Sequence, residues 1–225
     1  MNVLIINGSP KAEKSETLKI AREFVNGMGA KAKEISTIKC DIKPCKGCYK
    51  CRVKGSGKCC IADDVHKILS KIKKSDVVIW STPLFCYSVP STLKALLDRM
   101  TSISQPTIVV NEKGETTHLV IDAFSAKHVL ISGSPLPDKN SCFDSIKFQF
   151  RHMFGYDITM ILCTENKLFS LGETKVAANV YLKAVRKAGA DFVEYEHITR
   201  ETEEMLDEQI LPTDLYIESF NESAN

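Results

Sequence analysis

Apolar residues recur along this chain in two rhythms. Short unbroken runs, Val3-Leu4-Ile5-Ile6, Val77-Val78-Ile79-Trp80 and Val129-Leu130-Ile131, are bounded by polar or turn-forming residues. A strand covered on both faces reads this way, because neither face needs polar side chains. Between the runs, apolar positions fall at helical spacing: Leu18, Ala21, Val25 and Met28; Val65, Ile68, Leu69 and Ile72; Val89, Leu93, Leu96, Leu97 and Met100. The pattern predicts strands over 3–7, 32–38 (weaker), 76–81, 127–132 and 158–163. It predicts helices over 15–26, after a cap at Asp63, after a start at Ser88 and Pro90, over 141–154 and over 173–188. Glycines close three of them: Gly27 and Gly29 the first, Gly155 the fourth and Gly189 the fifth.

Five strands alternating with five helices, with no internal repeat, imply an α/β fold. The expected form is a five-stranded parallel sheet with helices on both faces and right-handed crossovers. Two segments exceed that plan. Within 103–126, two β-like stretches (107–110 and 116–121) flank Asn111-Glu112-Lys113-Gly114-Glu115. They read as an inserted β-hairpin near the carboxyl edge of the sheet, where open α/β folds bind ligands. Residues 191–225 form an acidic C-terminal extension, helical over about 203–210. The expected organisation is one domain over 1–190, carrying a cysteine loop at 40–60, followed by that extension.

Candidate chemistry begins where the first strand ends. Asn7-Gly8-Ser9-Pro10-Lys11 leads to Ser15 and Thr17, which open the first helix. A helix N-terminus offers free N–H groups and partial positive charge, and hydroxyls and a lysine beside it complete a phosphate pocket. From Gly8 the chain reads G-S-P-K-A-E, which excludes both G-x-G-x-x-G and the Walker A pattern. A hydroxyl-rich loop suits a terminal monophosphate better than a pyrophosphate. An ordinary strand–helix turn with a serine cap stays open as the alternative. Two further loops leave carboxyl ends of strands. Ser81-Thr82-Pro83-Leu84-Phe85-Cys86-Tyr87 is apolar and aromatic where a surface loop is normally polar, and Ser132-Gly133-Ser134-Pro135 is small and bent. Together the three loops point to a flat, phosphorylated cofactor.

Net charge is only +2, but residues 1–75 carry 17 Lys/Arg against 7 Asp/Glu, and residues 191–225 carry 1 against 11. The basic part lacks the interleaved aromatics of a nucleic-acid surface, so no nucleic acid is expected. No apolar run approaches the ~20 residues of a membrane span, and the first residues show no signal-peptide pattern. A soluble, cytoplasmic protein is the expectation. Nine cysteines, five of them within 45–60, do not resemble a secreted disulfide framework. Cys40, Cys86, Cys142 and Cys163 are read as core or near-core residues. No histidine has metal-ligand spacing, no Ser/His/Asp arrangement stands out, and no C-x5-R phosphatase loop exists.

The ordered set Gly8-Ser9-Pro10-Lys11 with Ser15 and Thr17, Cys45-x-Gly47-Cys48-x-x-Cys51, Asp63-Asp64, Ser81-Thr82-Pro83-Leu84 and Leu93-Lys94-x-x-x-Asp98-Arg99 resembles the NAD(P)H-dependent FMN reductase family. More narrowly, it resembles the iron-sulfur flavoprotein branch, over about residues 1–190. The resemblance implies a flavodoxin-like fold, non-covalent FMN, and a homodimer or homotetramer. Ser9, Lys11, Ser15, Glu16 and Thr17 would surround the phosphate. Thr82, Pro83, Leu84, Phe85, Cys86 and Tyr87 would contact the isoalloxazine, with Ser132 and Gly133 opposite. Glu16 stands where the family usually has a small polar residue. Its carboxylate would repel a phosphate, so it is expected to offer its N–H and point outward. The flavin itself would carry the chemistry, and no side chain is assigned a catalytic role. NADPH, NADH or a reduced carrier such as ferredoxin would be the donor. A quinone, azo or nitro compound, metal ion or protein would be the acceptor.

The spacing Cys45-x2-Cys48-x2-Cys51-x7-Cys59 allows three thiolates to wrap one face of a [4Fe-4S] cubane and a fourth to close it. The surrounding lysines would favour thiolates. Free or disulfide-linked thiols and a zinc site remain open alternatives. A cluster-bearing electron carrier without nicotinamide activity, and a redox-sensing or zinc-binding thiol module, are the other functional readings.

Overall fold

The apolar runs become the middle of a five-stranded sheet. A computed structural model describes residues 1–53, 58–111, 114–120, 124–138, 141–170 and 175–222. The elements are β1 (Val3–Asn7), α1 (Glu16–Gly27), β2 (Ala32–Ser36), α2 (Lys50–Val53), α3 (Val65–Ile72), β3 (Val77–Pro83), α4 (Ser91–Arg99), β4 (Ser104–Val110), β5 (Thr116–Val120), β6 (Lys127–Gly133), α5 (Asp144–Phe154), β7 (Thr159–Cys163), α6 (Lys175–Tyr195), α7 (Arg200–Asp207) and α8 (Thr213–Glu222). The sheet order is β2-β1-β3-β6-β7, and every pairing is parallel. Counted along the sheet's own strands this is 2-1-3-4-5, the flavodoxin-like order, whose switch point lies between β1 and β3.

Alternation within each strand builds two cores. Val3, Ile5, Val77, Ile79, Val129 and Ile131 pack against α1 and α6. Leu4, Ile6, Val78, Trp80 and Leu130 pack against α3, α4 and α5. Successive residues of a strand face opposite ways, so each strand must be apolar on both sides.

Three expectations need correction. Gly189 does not end α6, which continues to Tyr195 and passes the expected domain boundary at 190. Gly189 is instead a contact point: a Cβ there would lie 2.0 Å from the Phe24 carbonyl oxygen, and one at Gly27 would lie 1.8 Å from that of Arg186. The two glycines let α1 and α6 cross backbone to backbone. Second, the weaker strand is shorter than expected. β2 stops at Ser36, and Thr37–Lys39 form a 3-10 turn. Third, the hairpin exists as β4 and β5 but is not at the carboxyl edge. Its Glu115 accepts a hydrogen bond from the Tyr156 hydroxyl at 2.7 Å, just ahead of β7, which places its tip at the amino ends of the strands. Residues 112–113 and 121–123 of that insertion lie outside the described residues.

The extension belongs to the same body. Ile198 and Leu206 join the α1/α6 core, and Tyr216 of α8 is buried. No described helix is long and apolar enough to cross a membrane.

Candidate cofactor site and cysteine loop

Three loops meet at the carboxyl ends of β1, β3 and β6. The first is set by Asn7, whose side chain accepts the Ser9 N–H at 3.0 Å and donates to the Ala12 carbonyl at 2.9 Å. Ser15 caps α1: its hydroxyl accepts the Leu18 N–H at 3.3 Å and stands 2.8 Å from the Thr17 hydroxyl. Ser9, Ser15 and Thr17 are all buried, so the loop presents hydroxyls from inside the fold. Such a ring at the positive end of a 12-residue helix suits a phosphate.

Lys11 and Glu16 behave differently from expectation. Glu16 does not point out into water; 12% of its side chain is exposed, and Lys11 Nζ holds it at 2.9 Å. The pair neutralises the carboxylate that would otherwise repel a phosphate. It also commits the loop's lysine to Glu16.

The β3 loop is a tight turn. Phe85 and Ser88 exchange both backbone hydrogen bonds at 2.8 Å, and the two residues between them, Cys86 (φ 46°) and Tyr87 (φ 61°), are left-handed. That backbone holds Phe85 and Tyr87 out as exposed aromatics. Cys86 is exposed as well, which corrects the expectation of a near-core thiol, whereas Cys142 and Cys163 are buried. The turn is pinned to its neighbours: Leu84 N–H donates to the Gly133 carbonyl at 2.8 Å, and Ser145 Oγ donates to the Tyr87 carbonyl. Thr82 is buried, with its hydroxyl on the Pro83 carbonyl.

Gly133 shows how closely the loops converge. A Cβ there would lie 2.4 Å from Asn166 Nδ2 and 2.7 Å from Thr17 Cγ2. Ser81 and Ser132, at the same ends of the strands, are buried with hydroxyls that make no hydrogen bond among the described residues. Strand alternation puts Ser81 on the face of Ile79 and Ser132 on that of Leu130, so the two hydroxyls lie on opposite faces of the sheet and do not address one ligand together. The donor set and the small residues fit a phosphorylated flavin.

Asn7, which sets the first loop, and Asn166, which meets Gly133, were not foreseen as site residues. Asn166 follows β7 directly, so its place at a strand's carboxyl end was the available signal. The loop carrying it is held by the extension: the Ile210 and Leu211 N–H groups donate to Glu165 Oε2 at 3.0 and 3.3 Å, and Tyr216 Oη donates to the Pro135 carbonyl. Burial pushes the Glu165 carboxyl up, against the pull of those donors.

The cysteine loop is closed at its base by a buried ion pair. Arg99, at the end of α4, grips Asp63 through two hydrogen bonds of 2.6 and 3.1 Å, and neither side chain is exposed. The same guanidinium donates to the Lys43 and Ile61 carbonyls at 2.9 and 3.3 Å, so the two ends of the loop meet at one cation. Asp63 also accepts the Lys43 and Val65 N–H groups, but it is not the expected helix cap: that position is Asp64, one residue on, which makes no side-chain capping bond. Burial alone would raise the Asp63 carboxyl, but Arg99 and these donors outweigh it and leave it below the usual range.

Above the clasp, Cys45, Cys48, Cys51, Cys59 and Cys60 line one small cavity of about 70 Å³ with Ile61 and Thr101. Gly47 (φ 61°) and Tyr49 (φ 51°) are left-handed; Cys45, Cys48 and Cys60 are exposed, and Cys51 and Cys59 are partly buried. Among the described residues, no three Cys, His, Asp or Glu side chains are grouped to hold a single metal ion. That arrangement bears equally on zinc and on an iron-sulfur cluster. A four-thiolate cluster spreads its ligands over several irons, and the donor set suits it chemically.

A larger cavity, about 720 Å³, lies elsewhere, between the hairpin and the amino ends of β6 and β7. The C-terminal ends of α4 and α5 (Asp98 and Phe154) face it, and their partial negative charge disfavours a phosphate.

Comparison with known proteins identifies the family. The family model for NADPH-dependent FMN reductase matches residues 1–125. An iron-sulfur flavoprotein of Methanocaldococcus jannaschii is 40% identical over 102 residues, which cover 44% of this chain and 51% of that protein. Another from Archaeoglobus fulgidus is 36% identical over 100 residues, covering 44% and 48%. The chain thus spans about half the length of these curated relatives. Among solved structures, an FMN-dependent NADH-azoreductase from Bacillus anthracis, in complex with FMN, shares the fold (TM-score 0.61, 20% identity, 86% of this chain and 100% of that one). So does an NAD(P)H:quinone oxidoreductase from Methanothermobacter marburgensis (TM-score 0.61, 16% identity, 85% and 98%). By its family-model match over more than half its length, this chain belongs to the NADPH-dependent FMN reductase family.

Proposed function

We propose that this protein is an FMN-dependent oxidoreductase. It takes reducing equivalents from NADPH or NADH and passes them to a quinone, an azo or nitro compound, a metal ion or a protein. The observation that carries the reading is the convergence of Ser15, Thr17, Gly133 and the Phe85–Ser88 turn at the switch point of a flavodoxin-like sheet. Ser9, Ser15, Thr17 and the α1 N-terminus hold the phosphate. Thr82 to Tyr87 lie against the ring, with Ser132 and Gly133 on the other side. Bound FMN supplies hydride acceptance and one- or two-electron donation; the chain binds and orients it and keeps Glu16 neutralised. Names of relatives fit this reading: an FMN-dependent NADH:quinone oxidoreductase of Hydrogenovibrio crunogenus is 41% identical over 98 residues. Cys45, Cys48, Cys51 and Cys59 would hold a [4Fe-4S] cluster, which would supply one-electron transfer, and the protein works as a homodimer or homotetramer.

Anaerobic mixing of the flavin-loaded protein with NADPH or NADH tests the reading. Rapid bleaching of the yellow absorbance supports it. A second reading is an electron-carrier flavoprotein, favoured by the five thiols around one cavity. Reduction by a ferredoxin, with no bleaching by either nicotinamide, would replace the first reading with this one.

A further inference from the structure

Cys60 is the cysteine that the quartet leaves over, and it is not idle. Its sulfur stands 3.8 Å from that of Cys48, both residues are exposed, and both line the cavity shared by Cys45, Cys51 and Cys59. At that separation the sulfurs are in contact, and a modest rotation of two exposed side chains brings them to bonding distance. Both cysteines lie between Lys43 and Ile61, whose carbonyls accept from the same Arg99 guanidinium at 2.9 and 3.3 Å.

We propose that Cys48 and Cys60 form a reversible disulfide when the loop carries no cluster. The oxidant is a peroxide. One thiolate attacks it and becomes a sulfenic acid as the first water leaves. The second thiol then attacks that sulfur and expels the second water. Two thiols lose two electrons and two protons, and one hydrogen peroxide becomes two waters. A small dithiol reverses the bond by exchange through a mixed disulfide. One consequence rests on the cluster reading above. Cys48 is then unavailable as a ligand, so the oxidised loop takes no iron until it is reduced, and Cys60 acts as a lock on cluster assembly.

The test uses the full-length protein prepared without iron. It is treated with one equivalent of hydrogen peroxide, alkylated, digested and mapped by mass spectrometry. A Cys48–Cys60 linkage as the dominant cross-link, lost after dithiothreitol, is expected. Linkages scattered among Cys45, Cys51 and Cys59, or none, would overturn the proposal. In Cys60→Ser, Cys48 should show no dominant disulfide partner; an equally strong linkage to another cysteine would overturn the pairing. Anaerobic iron and sulfide are then offered to both redox forms. Uptake by the reduced form at least tenfold above the oxidised form is expected, and equal uptake would overturn the lock. Iron uptake by neither form, with the linkage mapped, would sink the cluster reading and leave the disulfide standing.

Discussion

Replacing Asp63 with alanine removes the anion at the base of the cysteine loop. Arg99 would keep its charge inside the fold, because its side chain has no exposed surface, and the Lys43 and Val65 N–H groups would lose their acceptor. Breaking a buried ion pair from one side costs about 3–5 kcal/mol, most of it the stranded charge. For a chain of this size each kcal/mol moves the melting temperature by roughly 2–4 °C, so the drop should be about 6–20 °C. The double variant Asp63→Ala/Arg99→Met discriminates the cause. It removes the stranded charge and leaves an apolar chain of similar length, so it should recover part of the loss. Circular-dichroism melts at pH 7 measure both variants. Because the Asp63 carboxyl sits below its ordinary value in the fold, the unfolded chain takes the proton first as pH falls. The contribution is therefore complete above the ordinary carboxylate range and fades through the acid range below it, and Asp63→Ala should lose that arm of the pH profile. A drop below about 2 °C, or a double variant no more stable than the single one, would refute the argument that this pair holds the loop.

Other consequences are as definite. Thr17→Val keeps the shape of the side chain and removes a hydroxyl; losing one hydrogen bond to a charged group costs ~1.5–3 kcal/mol, so FMN affinity should fall by roughly one to two decades. Titration of flavin-free protein measures it, and unchanged affinity would put the phosphate elsewhere. His128 is held down to about 4 by burial, and its Nδ1 accepts the Trp80 indole N–H at 3.1 Å. The unfolded chain binds that proton first as pH falls, so stability is complete above the ordinary histidine range and decreases by up to about 3 kcal/mol toward pH 4. Urea denaturation across that range should show the loss, and His128→Gln should flatten it. Tyr216→Ala should cost about 3–5 kcal/mol, as for other large buried rings; a loss under about 1 kcal/mol would mean that α8 does not hold the Pro135 loop in solution.

The sheet was legible because burial on both faces leaves a simple mark, a run with no polar residue. β1 matched to the residue, and Ser15 was readable as a cap because caps are chosen by local chemistry. Gly189 misled for the same reason. A glycine in a helical pattern looks like an end, and only the crossing with α1 shows that it serves contact. Asp63 was read as the cap of a helix whose cap position is in fact Asp64, and its larger role joins residues 36 positions apart, which no local pattern encodes. The hairpin's existence followed from β-type residues flanking a turn, but its position follows from Tyr156 and from the direction in which α4 delivers the chain. The acidic extension was read only by its charge and one helical stretch, because its apolar residues are spread among many acids. Ile198, Leu206 and Tyr216 are nonetheless buried, and its backbone amides hold Glu165.

The central claim is that the loops after β1, β3 and β6 hold a flavin by its phosphate. Parallel titrations of flavin-free protein with FMN and with riboflavin, followed by flavin fluorescence, test it most directly, because the two ligands share the ring and differ only in the phosphate. If the hydroxyls of Ser9, Ser15 and Thr17 and the α1 N-terminus receive that group, several charge-assisted hydrogen bonds are at stake. FMN should then bind at least about a hundredfold more tightly than riboflavin, equivalent to roughly 2.7 kcal/mol. Equal affinities for the two flavins would contradict the account.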